Sequence, residues 1–235
     1  MTAQPSDAPR VLMIACGALA RELMAINTMN ALDNVTIECL PASLHNRPSE
    51  IPELVRQRIH RARRTGVVVD TASGASDDEL VDGDNTFGDS GERFDEIFVG
   101  YADCGTGGKL ADVCREEGVE MLAGAHCYQF FATAPGFERL QDHELGSFYL
   151  TDFLARNFER LVWQGLGIAD HPELRDMYFG NYTRLVYLQQ ADDPKALACA
   201  HDAADRLGLT LHIEPTGYGE LETTVVEFTR RAALR

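Results

Sequence analysis

Apolar and polar positions along this chain come in blocks that switch between two periods. Val11-Leu12-Met13-Ile14-Ala15 is a continuous apolar run ending at Cys16-Gly17, the length of a strand buried on both faces. Over residues 18–32 the apolar side chains Leu19, Leu23, Ile26 and Met29 fall at helical spacing. Val35-Thr36-Ile37-Glu38-Cys39 reads as a second strand, stopped by Pro41. Ser49 as N-cap and Pro52 in the first turn then start a helix running to about Arg64. Residues 94–101 give a third strand, 109–117 a helix and 119–123 a fourth strand. Further on, 150–165 sets Phe153, Leu154, Phe158, Leu161 and Val162 on one helical side, and 184–189 and 209–214 read as strands around a helix at 194–207. Residues 223–228 favour a strand while their neighbours suit a helix. Alternation of this kind predicts an α/β fold, three-layer α/β/α and Rossmann-like, around a mostly parallel sheet.

One stretch breaks the alternation. Residues 71–91 are rich in Asp, Gly and Ser and almost free of apolar side chains, which reads as an inserted polar loop. Because the pattern continues on both sides, the expectation is one α/β domain over residues 1–235 with that insertion.

Charge narrows the partners. A formal net charge of −16 repels phosphate backbones and anionic lipid, so neither nucleic acid nor a membrane surface is expected. No apolar run approaches the roughly 20 residues that span a bilayer. The opening MTAQPSDAPR lacks the charged and apolar regions of a secretory signal, so a cytoplasmic location is expected. Thiols stay reduced there, and the six cysteines read as packing residues, ligands or nucleophiles rather than disulfides. No CxxC pair occurs, so any shared cysteine site must be assembled by the fold.

Ligands of open parallel sheets bind beyond the carboxyl ends of the strands. The predicted elements deliver there Cys16, then Cys39 and the loop with His45, then Asp103 and Cys104, then His126 and Cys127, and later Gln189, Gln190 and Glu214. Cys39 lies within a strand, and Cys114 and Cys199 lie within helices, where packing explains them. Cys16, Cys104 and Cys127 sit where strands hand over to loops. Three thiolates, or two with His45 or His126, match the ligand count of a catalytic zinc. The same atoms without metal suit a two-cysteine racemase or lyase, since a thiolate before a helix is stabilised. The turn Gly105-Thr106-Gly107-Gly108 opens a helix and offers backbone N–H groups to the anionic group of a small substrate, although it also fits a tight turn needing positive φ. His45, His126 and Asp103 are the acid–base candidates. His143 and Glu144 precede an aromatic loop, 146–152, that could cap the crevice, although Thr151 or Asp152 also suits an N-cap. His60, His171 and His201 read as surface residues and Trp163 as core.

The pieces ACGALARE (15–22), LHNRP (44–48), GYADCGTGG (100–108) and GSFYLT (146–151) resemble an uncharacterised domain family. That family is found in methanogenic archaea and marine methylotrophic bacteria, often encoded beside corrinoid-dependent methyltransferases. The resemblance supports the grouping of Cys16, His45, Cys104 and Cys127 and implies one-carbon metabolism, with a corrinoid held by a partner protein. His126 departs from the family pattern, which has an acidic residue before the cysteine. Three readings follow: a zinc-thiolate enzyme or accessory protein of corrinoid-linked methyl transfer, such as a zinc-dependent methyltransferase; a metal-free racemase or lyase; and a non-catalytic binding module.

Overall fold

The computed structural model describes residues 8–65, 85–87 and 93–234. The fold is α/β, with helices packed about parallel sheets. The strands fall into two sheets, and the chain divides into two compact units, Met1–Ala123 with Glu222–Arg235, and Gly124–Leu221. The alternation of strand and helix signals along the chain reads the same whether one sheet continues or a second one starts.

The first unit contains β1 (Val11–Cys16), α1 (Ala20–Met29), β2 (Val35–Leu40), α2 (Ile51–Thr65), β3 (Asn85–Phe87), β4 (Glu96–Gly100), α3 (Lys109–Glu117) and β5 (Glu120–Met121). Strand order is β3-β2-β1-β4-β5, parallel except for β3, which runs against β2. Every residue of β1 is buried, as its unbroken apolar run requires. Gly100 lets β4 approach β1 closely, because a Cβ there would lie 2.9 Å from the Ala15 Cβ. Glu38 is the one charge inside β2. It is offset by Arg58 at 3.3 Å and by Arg61, both from α2, which keeps a buried carboxylate from being uncompensated.

The second unit contains α4 (Cys127–Ala132), α5 (Ala134–His143), β6 (Ser147–Thr151), α6 (Asp152–Arg156), α7 (Leu174–Phe179), β7 (Arg184–Gln189), α8 (Pro194–Leu207) and β8 (Thr210–Pro215). Its sheet is parallel, in order β6-β7-β8. Ala196, Ala200, Ala203 and Ala204 on α8 pack with Leu185, Tyr187 and Leu150, small residues allowing the helix to lie close on the strands. α9 (Gly219–Ala232) begins in this unit and joins the first from Glu222.

Several expectations change. The aromatic stretch 146–152 is not a cap: Ser147–Thr151 forms β6, and the helix after it is α6 followed by a π-helical segment, Glu159–Gln164. Phe148, Tyr149 and Leu150 form a run too short for periodicity alone to assign. The C-terminal segment is helical rather than extended. Ser49 lies inside a 3-10 turn, Pro48–Glu50, and α2 starts at Ile51. Most of the expected insertion, 71–91, lies outside the described residues, although Asn85–Phe87 pairs as β3. No helix among the described residues is long and apolar enough to cross a membrane.

Candidate functional site

In the first sheet the chain moves from β1 outward to β2 and then returns to the other side of β1 as β4. The strand order therefore reverses between β1 and β4, and the crevice at such a switch point is the usual ligand position of an open α/β sheet. Cys16 ends β1, and Tyr101 to Cys104 follow β4. The ladder pairs Ala15 with Gly100, which sets Cys16 and Tyr101 side by side at this edge.

Cys16 also caps the turn that begins α1: its Sγ accepts a hydrogen bond from Ala18 N–H at 3.3 Å. His45 arrives from a 3-10 turn, Ala42–Asn46, that Pro41 starts by ending β2. Its Nδ1 lies 3.0 Å from the Ala42 carbonyl and 3.6 Å from Cys16 Sγ. A carbonyl can only accept, so Nδ1 carries the hydrogen and Nε2 is the basic nitrogen of the neutral ring. Cys104 holds φ +48°, an uncommon backbone for a residue with a Cβ, costing about 1 kcal/mol.

Burial governs the electrostatics. Desolvation pushes the Cys16 thiol up to about 12, against the lowering by the Ala18 amide and the nearby Tyr101 hydroxyl. Cys39 is raised further, first by burial and then by proximity to Cys16. Both are neutral thiols at rest. For His45, crowding by neighbouring atoms alone would lower the pKa, but hydrogen bonding to Cys104 and its charge outweigh this and raise it. The ring nonetheless keeps solvent exposure, so His45 lines an accessible edge. The Tyr101 hydroxyl is buried near Cys16, Cys39 and Cys104, with the weakly accepting Cys16 sulfur as its neighbour and no hydrogen bond of good geometry among the described residues.

The glycine-rich turn shows a different use of its amides. Asp103 accepts from Gly107 N–H at 3.1 Å, Gly108 N–H at 2.7 Å and the Thr106 hydroxyl at 2.7 Å. The carboxylate bound by Gly107 and Gly108 is the loop's own. Asp103 is held below the usual carboxylate range, first by Thr106 and then by these amides. Gly105, Gly107 and Gly108 all have positive φ, so the loop shape itself requires glycine. The loop fixes Cys104 in place.

A family profile described as "Protein of unknown function (DUF1638)" matches residues 39–225. The chain belongs to the DUF1638 family. No curated protein and no solved structure matches it. Within this DUF1638 chain the matched span includes His45, Cys104 and Cys127, while Cys16 precedes it.

His126 and Cys127 belong to the second unit, where His126 is exposed and Cys127, partly buried, opens α4. Among the described residues no three His, Cys, Asp or Glu side chains are grouped to hold a metal ion. Cys39 and Cys114 are buried and Cys199 partly so, as packing predicts. His60 is exposed and bound to Glu117, and His171 and His201 are exposed. Trp163 packs against the second unit's core, and Thr151 caps α6 through Leu154 N–H.

Sequence reading missed two features. Tyr101 is the first; its signal was a large hydroxylated residue between Gly100 and Ala102 at a strand end. The second is a closed network at the strand ends of the second sheet. There the buried Asp152 accepts from Tyr187 Oη at 2.6 Å, Gln190 N–H at 3.2 Å and Ala191 N–H at 3.0 Å. Gln190 Oε1 in turn accepts from Asp152 N–H at 2.6 Å. Gln190 was expected at this rim, but as a site residue rather than a structural one.

Proposed function

We propose that the first unit of this DUF1638 protein is the catalytic part of a thiol-dependent enzyme acting on a small molecule. Cys104 is the reactive thiol and His45 Nε2 the base that takes its proton. The observation carrying this reading is the convergence of Cys104, His45 and Cys16 at the switch point between β1 and β4. Three further features support it: the constrained backbone of Cys104, the exposure of His45, and the buried Tyr101 hydroxyl that faces the thiols. A carbonyl-fixed Nδ1 leaves the ring in the tautomer that a base requires. Cys16, held neutral by burial, is the proton-bearing thiol nearest the pair. The six free thiols fit a reducing, cytoplasmic compartment.

A zinc centre is the second reading, and the setting implied by the sequence resemblance, methyl transfer beside a corrinoid protein, belongs with it. A single observation favours it: ligating histidines commonly donate their other ring N–H to a carbonyl, as His45 does to Ala42. The donors as they stand are not grouped as a ligand set, so no step is routed through a metal. Elemental analysis of protein purified without chelator separates the two. Alkylation that depends on His45 in metal-free protein supports the first reading; stoichiometric zinc lost in Cys104→Ser supports the second.

A further inference from the structure

We infer that β8 is a self-association edge, at which two copies of this chain pair antiparallel about Ile213 and join their three-stranded sheets into one of six strands. The inference concerns only the second unit and is independent of the thiol site.

Strand β8 ends its sheet, and among the described residues no strand pairs with its outer side. The other end strand, β6, is almost wholly buried, whereas every residue of β8 is exposed or half-buried. Thr210 N–H bonds to the Thr183 carbonyl at 3.3 Å and Thr216 N–H to the Gln189 carbonyl at 2.9 Å, both toward β7. Since successive residues of a strand direct their backbone groups to opposite sides, Leu211, Ile213 and Pro215 direct theirs outward. Such a row is a template for another strand unless it is paired or blocked.

The sequence around Ile213 is complementary to itself. In an antiparallel pair centred there, the Ile213 residues of the two copies exchange both N–H···O=C bonds. Each Leu211 N–H meets the Pro215 carbonyl of the second copy, and Pro215, having no N–H, ends the ladder in both directions. On the face that carries Leu211, which packs toward the α8 core, the 39%-exposed Ile213 meets its counterpart. On the opposite face each His212 stands across from Glu214 of the second copy. These two side chains already lie 3.4 Å apart within one chain, half exposed and able to turn outward. Shifting the centre to His212 keeps the outward backbone groups paired but sets the two His212 residues against each other. The cross-strand pairing of His212 with Glu214 therefore favours the Ile213 register. The symmetry is closed, so the pairing stops at a dimer. One strand edge is a small interface, and about micromolar association is expected.

Sedimentation velocity of the full chain tests this. The expected result is a reversible species of twice the 25.9 kDa chain mass, reduced to monomer by Ile213→Lys. Glu214→Lys should weaken it about tenfold, and the double change His212→Glu with Glu214→Lys, which exchanges the signs, should restore it. Circular dichroism confirms that each variant is folded. A wild-type chain that stays monomeric at about 0.1 mM overturns the proposal, given the micromolar association expected. So does a dimer that Ile213→Lys leaves intact, or a double variant no stronger than Glu214→Lys.

Discussion

Both units gather polar side chains at the carboxyl ends of parallel strands, and they differ in whether the hydrogen bonds close. In the second sheet, Asp152 receives Tyr187, Gln190 and Ala191, Gln190 returns a bond to Asp152, and Arg156 pairs with Asp193. These bonds tie the strand ends to the start of α6. In the first sheet the same position holds two thiols, the exposed residue His45 and a buried tyrosyl hydroxyl that faces thiols and makes no hydrogen bond of good geometry among the described residues. A fully bonded network specifies structure, and an incomplete one can specify chemistry. This difference supports placing the proposed chemistry in the first unit.

The sharpest way to break this comparison is to open the closed network. Asp152→Ala leaves the Tyr187 hydroxyl and two backbone amides without their acceptor, and should cost about 3 kcal/mol. Urea titration followed by circular dichroism would show it, while alkylation of Cys104 should stay unchanged. A loss below about 1 kcal/mol would mean the network is not a lock.

Smaller effects are expected in the first unit. Cys114→Ser should cost about 1–2 kcal/mol of stability, through a hydroxyl placed among apolar groups, with no effect on Cys104 reactivity. Tyr101→Phe removes a buried hydroxyl that faces only thiols, with no hydrogen bond of good geometry among the described residues. The folded protein should be unchanged or up to about 1 kcal/mol more stable, because sulfur is a weak acceptor and little bonding is lost. A destabilisation above about 2 kcal/mol in thermal melts would show that the hydroxyl is bonded in the resting protein and would remove one difference between the two units.

The smallest effect concerns pH. His45 is raised above its ordinary value of 6.5 in the folded state, by Cys104 against desolvation. It therefore adds stability fully present below about pH 6.5 and lost as pH rises through its raised value. The ring is exposed, so solvent screening keeps this below about 1 kcal/mol. Stability measured against pH should lose that component in His45→Asn, and an unchanged profile would separate His45 from Cys104.

The strands of the first unit could be read closely because each is bounded by a residue with one local meaning. Pro41 stops β2, Gly100 packs at the end of β4, and the glycines of the 105–108 turn start α3. The α8 segment was equally plain, with Asp193 as N-cap and Gly208 beyond its end. Grouping the cysteines at strand ends also placed Cys16, His45 and Cys104 together. What could not be read was which strands share a sheet, because pairing between distant strands leaves no periodic signal. Cys127 follows β5 of the first sheet, while the chain from Gly124 onward belongs to the second unit. The role of the glycine turn was hidden for a related reason: Asp103 is next to the loop in sequence, yet only the folded turn shows its carboxylate taking the Gly107 and Gly108 amides.

The central claim is that Cys104 and His45 act as a pair. Mass-spectrometric mapping of iodoacetamide adducts over time, in wild type and His45→Asn, measures it directly. The account predicts that loss of His45 slows modification of Cys104 by about tenfold, while the partly exposed Cys127 and Cys199 keep their rates. Equal Cys104 rates in the two proteins would contradict it.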